Sequence, residues 1–156
     1  MGYSTVESIS KKIDRNLLIQ LLNDENRQEE EIDLTSDSDL IVSRFNQIVT
    51  EVTEEIENSL RSRYKLPISK TSSTLQSISD DRVIYNVKKR RMRDSMPESE
   101  QKIYNDSTKQ LQQIQRGELI LDLEPLSSET TGISGEIRTN KTASDRIFNS
   151  DLWNKY

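Results

Sequence analysis

The sequence predicts an all-α fold, a small bundle of about five helices with a long central amphipathic helix and an extended C-terminal arm. Three observations predict it. Apolar residues recur at steps of three and four through the middle of the chain, helix-start and helix-stop residues bracket each periodic stretch, and both signals fade after Pro125. The expected division is therefore a helical domain over 1–124 and an arm over 125–156.

Ser4 and Glu7 have capping-box spacing ahead of Val6 and Ile9, which predicts a short first helix ending near Lys12. Asp14 can cap a second helix carrying Leu17, Leu18, Leu21 and Leu22 on one side, followed by the polar loop Asn23 to Glu31. The clearest periodicity comes next. Ile41, Phe45, Ile48, Val49, Val52, Ile56 and Leu60 follow a cap at Asp37 or Asp39, and the helix should stop near Pro67 because the residue before a proline avoids helical geometry. After a Ser/Thr connection over 69–73, a fourth helix spans Thr74 to Ser95 with Leu75, Ile78, Val83, Ile84 and Val87 inward. Pro97 suits a first turn and Gly117 the left-handed position after a last one, so they bracket a fifth helix carrying Ile103, Leu111 and Ile114. Leu119, Leu121 and Leu123 then alternate with Ile120 and Asp122 as a short extended segment would. The arm is rich in Ser, Thr, Asn and Gly, with sparse anchors at Ile133, Ile137, Ile147, Phe148, Leu152 and Trp153, too few to fold alone.

Composition excludes several function classes. The 156 residues are 31% hydrophobic and 31% charged, which leaves modest apolar area for a core and favours burial against partners. The chain has neither Cys nor His, so disulfides, zinc sites of the usual ligands, thiol nucleophiles and imidazole bases are out of reach. Its remaining polar groups form no evident catalytic constellation, and the expectation is a non-enzyme without cofactor. No stretch approaches the roughly 20 apolar residues that span a bilayer, and the start lacks a signal-peptide pattern, so a soluble, unprocessed protein with no membrane partner is expected. Met1-Gly2 opens like a myristoylation signal, but Val6 stands where Ser or Thr is needed. A net charge of −5 argues against a surface that grips nucleic acid throughout.

Four groups of residues are candidates for function. Lys88, Lys89, Arg90, Arg91 and Arg93 form the one dense basic cluster, which could neutralise phosphates in a small DNA-binding regulator. At about 100° per residue, however, these side chains spread round a helix, which suits a solvated end, an acidic neighbour or the helix dipole better than a phosphate stripe. Glu29, Glu30, Glu31, Asp33, Asp37 and Asp39 offer carboxylates without the glycine and terminal Glu of a calcium loop, so no metal is expected. Arg63 and Tyr64 either anchor the end of the long helix or meet a neighbouring subunit. Ile147, Phe148, Leu152, Trp153 and Tyr156 read as a segment that orders on a partner. The segment from Leu119 to Leu123 could instead add a strand to a neighbour.

The order of these landmarks resembles the phage Mu-like head-tail connector family. Arg63-Tyr64-Lys65-Leu66-Pro67 is similar to an Arg-Tyr-x-Leu-Pro ending of the family's long helix, and Asp14 to Leu21 to its short second helix with a Leu-Ile-Gln-Leu core. Val83 to Arg93 falls where a Tyr/Arg-rich helix lies, and Gly117-Glu118-Leu119 matches a glycine step after the last helix. The likeness covers about Val6 to Glu124. Two departures stand out: Asn23 to Glu31 lacks the glycine of the family's loop before the long helix, and the loop after Pro67 is poorer in proline. The resemblance implies a structural virion protein assembled in the host cytoplasm, an oligomeric ring of roughly twelve copies between portal and neck or tail. DNA would then be cargo passing through an acidic lumen, the arm would dock on the portal protein, and Arg63, Tyr64, Lys88, Arg90, Arg91 and Arg93 would be subunit-interface candidates.

Overall fold

The computed structural model describes residues 2–68, 70 and 72–126. The arm anchors Ile147, Phe148, Leu152, Trp153 and Tyr156 lie outside the described residues, as do Ile133 and Ile137. Five α-helices follow in order: α1 (Val6–Ser10), α2 (Arg15–Leu22), α3 (Leu40–Leu60), α4 (Ser73–Met92) and α5 (Glu98–Arg116), with 3₁₀ turns at Glu29–Glu31 and Arg93–Ser95. They belong to one unit that ends at Leu126.

The long helix α3 buries the expected stripe, with Val42 added, and its cap is Asp39, whose carboxylate accepts from the Ile41 amide at 2.8 Å. Beside it, α4 packs on each of the other four helices. A helix surrounded in this way shows weak one-sided patterning, because it has no single solvent face. The buried surface of α4 accordingly includes Ser79, Asp80 and Arg82 with Leu75, Ile78, Val83, Ile84 and Val87.

Several boundaries and faces differ from expectation. The first cap is Thr5, not Ser4: Thr5 and Ser8 form the reciprocal capping box, and the Ser4 hydroxyl pairs with Ser79 on α4 at 2.7 Å. On α2 the buried set is Leu18, Ile19, Leu21 and Leu22, while Leu17 faces out, because α2 lies against both α3 and α4 and its inward arc is rotated by their joint surface. The fourth helix begins at Ser73 on a Ser72 cap and ends at Met92, where Arg93 adopts a φ of 43° and breaks the helical ladder before Ser95. Along α5 the buried residues are Ser107, Leu111 and Ile114, and Ile103 is 45% exposed. Its neighbour Tyr104 takes the inward position, and one residue turns the face by about 100°. Gly117 closes α5 in the left-handed conformation, φ 80°, as its sequence position requires.

The segment after Gly117 keeps its alternation, with Leu121 buried, Leu119 and Leu123 half-buried and Ile120 79% exposed. It makes no strand. It folds back on the end of α3, where Tyr64 and Pro125 form an isolated antiparallel bridge flanked by Lys65 N–H to Glu124 O and Leu126 N–H to Arg63 O. This pairing carries the backbone of Pro125 and Leu126 into the helical unit.

Candidate functional site

The polar loop after α2 is tied to the bundle by a knot of charges. Asp24 meets Arg90 at 2.6 Å and Arg91 at 2.7 Å from α4, while Arg44 of α3 grips Glu25 with both terminal nitrogens. Arg44 also donates to the Leu22 carbonyl at 2.9 Å, and Arg91 to the carbonyls of Leu21 and Asn23, so the guanidinium groups satisfy the open C-terminal turn of α2. The hydrogen bond from Arg44 lowers the Glu25 pKa to about 2, and that from Arg90 is the main cause that holds Asp24 below its usual value. Further along, Arg27 reaches the buried Asp39 at 2.6 Å and lowers its pKa, so the cap of α3 is also an ion-pair partner. Asp33 is lowered by hydrogen bonds from Thr35.

The basic cluster is thus divided by the fold. Lys88 pairs with Glu100 at 2.5 Å across the α4–α5 contact, Arg90 and Arg91 converge on Asp24, and Lys89 and Arg93 are exposed with no ion pair among the described residues. Three of the five cations are therefore engaged by carboxylates of the same chain.

Arg63 and Tyr64 work inside the chain. The Arg63 guanidinium donates to the carbonyls of Gln115 and Arg116, both at 3.0 Å, and so caps the end of α5. Tyr64 is buried, and its hydroxyl accepts from the Leu121 amide at 2.9 Å. Together they join the end of α3 to the last helix and to the returning segment.

Several buried polar groups were not among the sequence candidates. Arg82 is 1% exposed, yet both faces of its fork are used: Glu55 binds it from α3, and Tyr104, Ser107 and Thr108 accept from it on α5. The same guanidinium lies 4.4 Å from the Tyr104 ring centroid, and Tyr104 stacks on Tyr85. One signal was legible, since Arg82 lies four residues after Ile78 and seven after Leu75, on the buried face of α4. Asp80 accepts from Ser8 at 2.8 Å and Lys12 reaches Asp81 at 2.8 Å, which pins short α1 to α4. Tyr3 donates to Glu57, and burial first, then the Glu57 charge, raises its pKa.

Several surface depressions remain. A groove of about 460 Å³ runs between α3 and α4, lined by Arg44, Gln47, Ile48, Glu51, Asn86, Lys89 and Arg90. A separate cleft on the α2 side is lined by Asn16, Ile19, Gln20, Asn23, Arg27, Glu29 and Ile32. Among the described residues no three carboxylates converge in a way that could hold a metal ion, and no described helix is long and apolar enough to cross a membrane.

No curated protein matches the chain. The family model described as Bacteriophage Mu, Gp36 matches residues 3–138, which takes in all five helices and the segment that returns to Tyr64. The chain belongs to this phage Mu family.

Proposed function

We propose that this protein is a structural component of a phage virion, a head-tail connector subunit that forms a ring between the portal and the neck or tail. The observation that carries the reading is membership of the phage Mu family across nearly the whole chain. The fold suits a mechanical part. Its helices are joined by buried polar ties at Arg82 and Asp80 and by the α5 cap from Arg63, which favours a subunit that keeps its shape under load. DNA passes the ring as cargo, and a net charge of −5 disfavours adhesion of a polyanion to its surface. The arm beyond Leu126 docks on the portal through Ile147, Phe148, Leu152, Trp153 and Tyr156, apolar and aromatic anchors spaced among polar residues.

The reading as a DNA-binding regulator through Lys88 to Arg93 is weaker for a physical reason. Three of its five cations already have carboxylate partners in Glu100 and Asp24, so phosphates would have to displace intramolecular pairs.

A portal pull-down with the full chain and with a version ending at Leu126 tests the proposal. Capture of the full chain with loss in the truncation is the expected result. Capture of neither, with salt-sensitive DNA binding that disappears when Lys89 and Arg93 are changed to Gln, supports the regulator instead.

A further inference from the structure

We infer that the groove between α3 and α4 is the seat for the acidic turn Glu29–Glu31 of a second copy of this chain. The inference rests on the connector reading and gives its ring a specific subunit contact.

The groove has a volume of about 460 Å³. Arg44, Gln47 and Glu51 stand at successive turns of α3, Asn86, Lys89 and Arg90 line it from α4, and Ile48 contributes apolar surface. Its two ends differ in charge. Glu51 stands toward the C-terminal side of α3 with Gln47 hydrogen-bonded to it, and Arg44 and Arg90 meet Asp24 at the other end. Arg44 is held by Glu25, and Arg90 reaches Asp24 through one terminal nitrogen. Lys89 has no ion pair among the described residues. Lys89, beside the amide donors Gln47 and Asn86, is the lining cation without a carboxylate among the described residues, and it is complementary to an incoming one.

The same chain carries the complement. Glu29, Glu30 and Glu31 are all exposed, form no ion pair among the described residues, and project from a 3₁₀ turn closed by Glu31 N–H to Gln28 O at 3.0 Å. The turn is held in place from behind by Arg27, which links the Glu31 carbonyl to the buried Asp39. It is an exposed turn of high charge. Its own neighbours are α2 residues, because Glu29 lines the other cleft with Asn16, Ile19 and Gln20, and the two depressions share no residue. A turn and a groove that share no lining residue can meet head to tail between copies, the kind of contact that closes into a ring when the rotation between copies allows it.

The chain contains no cysteine, so a cross-link between introduced thiols reports the contact without background. Full-length Gln47→Cys and Glu29→Cys chains are mixed under mild oxidation, with Lys109→Cys, exposed on α5, replacing the groove thiol as the collision control. Expected is a mixed dimer that forms several-fold faster than the control pair. Adding Lys89→Glu to the groove chain should slow it to the control rate, and adding Glu30→Lys to the turn chain should then restore it. A rate equal to the control, or a charge reversal that cannot be rescued, overturns the inference. Portal capture by the wild-type chain is scored separately. Capture without the specific cross-link removes this contact alone, and absence of capture removes the connector reading whatever the cross-link shows.

Discussion

At the scale of single residues the least expected feature is Arg82, a guanidinium that is almost wholly buried and meets Glu55, a carboxylate that is about half exposed. The two halves of this pair respond differently to mutation. Removing Glu55 strands a buried charge, so Glu55→Ala should cost about 3 kcal/mol or more in urea unfolding. Arg82→Met keeps much of the volume and lets Glu55 turn to water, so the double variant Arg82→Met with Glu55→Gln should recover most of that loss. Gly117 gives a second test. A Cβ there would fall inside the Arg63 guanidinium and would also sit at a φ of 80°. Gly117→Ala should lose about 1–2 kcal/mol from the left-handed backbone alone, and its effect should not add to that of Arg63→Ala, since the methyl already displaces that side chain. Tyr3 supplies a test at high pH. Its folded pKa lies above the ordinary 10.0, so the stabilisation from its neutral phenol is complete below that value and is lost as pH rises past it. Tyr3→Phe should flatten the alkaline side of a thermal-midpoint profile.

At the scale of elements, the loop between α2 and α3 is held mainly by charge. Folded Glu25 titrates at about 2 against an ordinary 4.5, and Asp24 and Asp39 are lowered in the same sense. Groups with depressed folded pKa values stabilise the protein above their unfolded values and lose that contribution as pH falls through the folded ones. Stability should therefore decline from about pH 4.5 downward, a loss seen as a falling thermal midpoint. Salt should blunt the effect because most of these side chains are exposed. Arg44→Gln should remove part of the acid sensitivity while lowering stability at neutral pH. The helices themselves respond to burial. Ile56→Ala in α3 should cost about 2–5 kcal/mol, whereas Ile103→Ala on the exposed side of α5 should stay within about 0.5 kcal/mol of wild type.

At the scale of the whole molecule, α4 is the hub and the returning segment is the clasp. Since Pro125 and Leu126 pair with Tyr64 and Arg63, a chain ending at Leu126 should fold with the full urea cooperativity of the helical unit. A chain ending at Gly117 loses the Leu121 and Tyr64 contact and should melt lower, which circular dichroism would register. The clasp also limits what the segment from Leu119 to Leu123 can offer another chain, because its buried leucine is already engaged with its own bundle.

The helices were legible because each carries a local signal that does not depend on its neighbours. The period of three to four in α3, the Asp14 cap, and the Pro97 and Gly117 brackets of α5 follow from backbone sterics and apolar spacing alone. Absence of Cys and His likewise bounded the chemistry before any fold was known. Tertiary structure decided the rest, because partner choice depends on which surfaces meet. Only packing sends Ser4 to Ser79, turns Ile19 inward in place of Leu17, and gives Lys88 and Arg91 to different carboxylates. A basic run reads the same in sequence whether its charges face solvent or Asp24, and the burial of Arg82 requires three helices to arrive together. Local chemistry determined where the helices start and stop; long-range contacts determined which polar groups they left for other molecules.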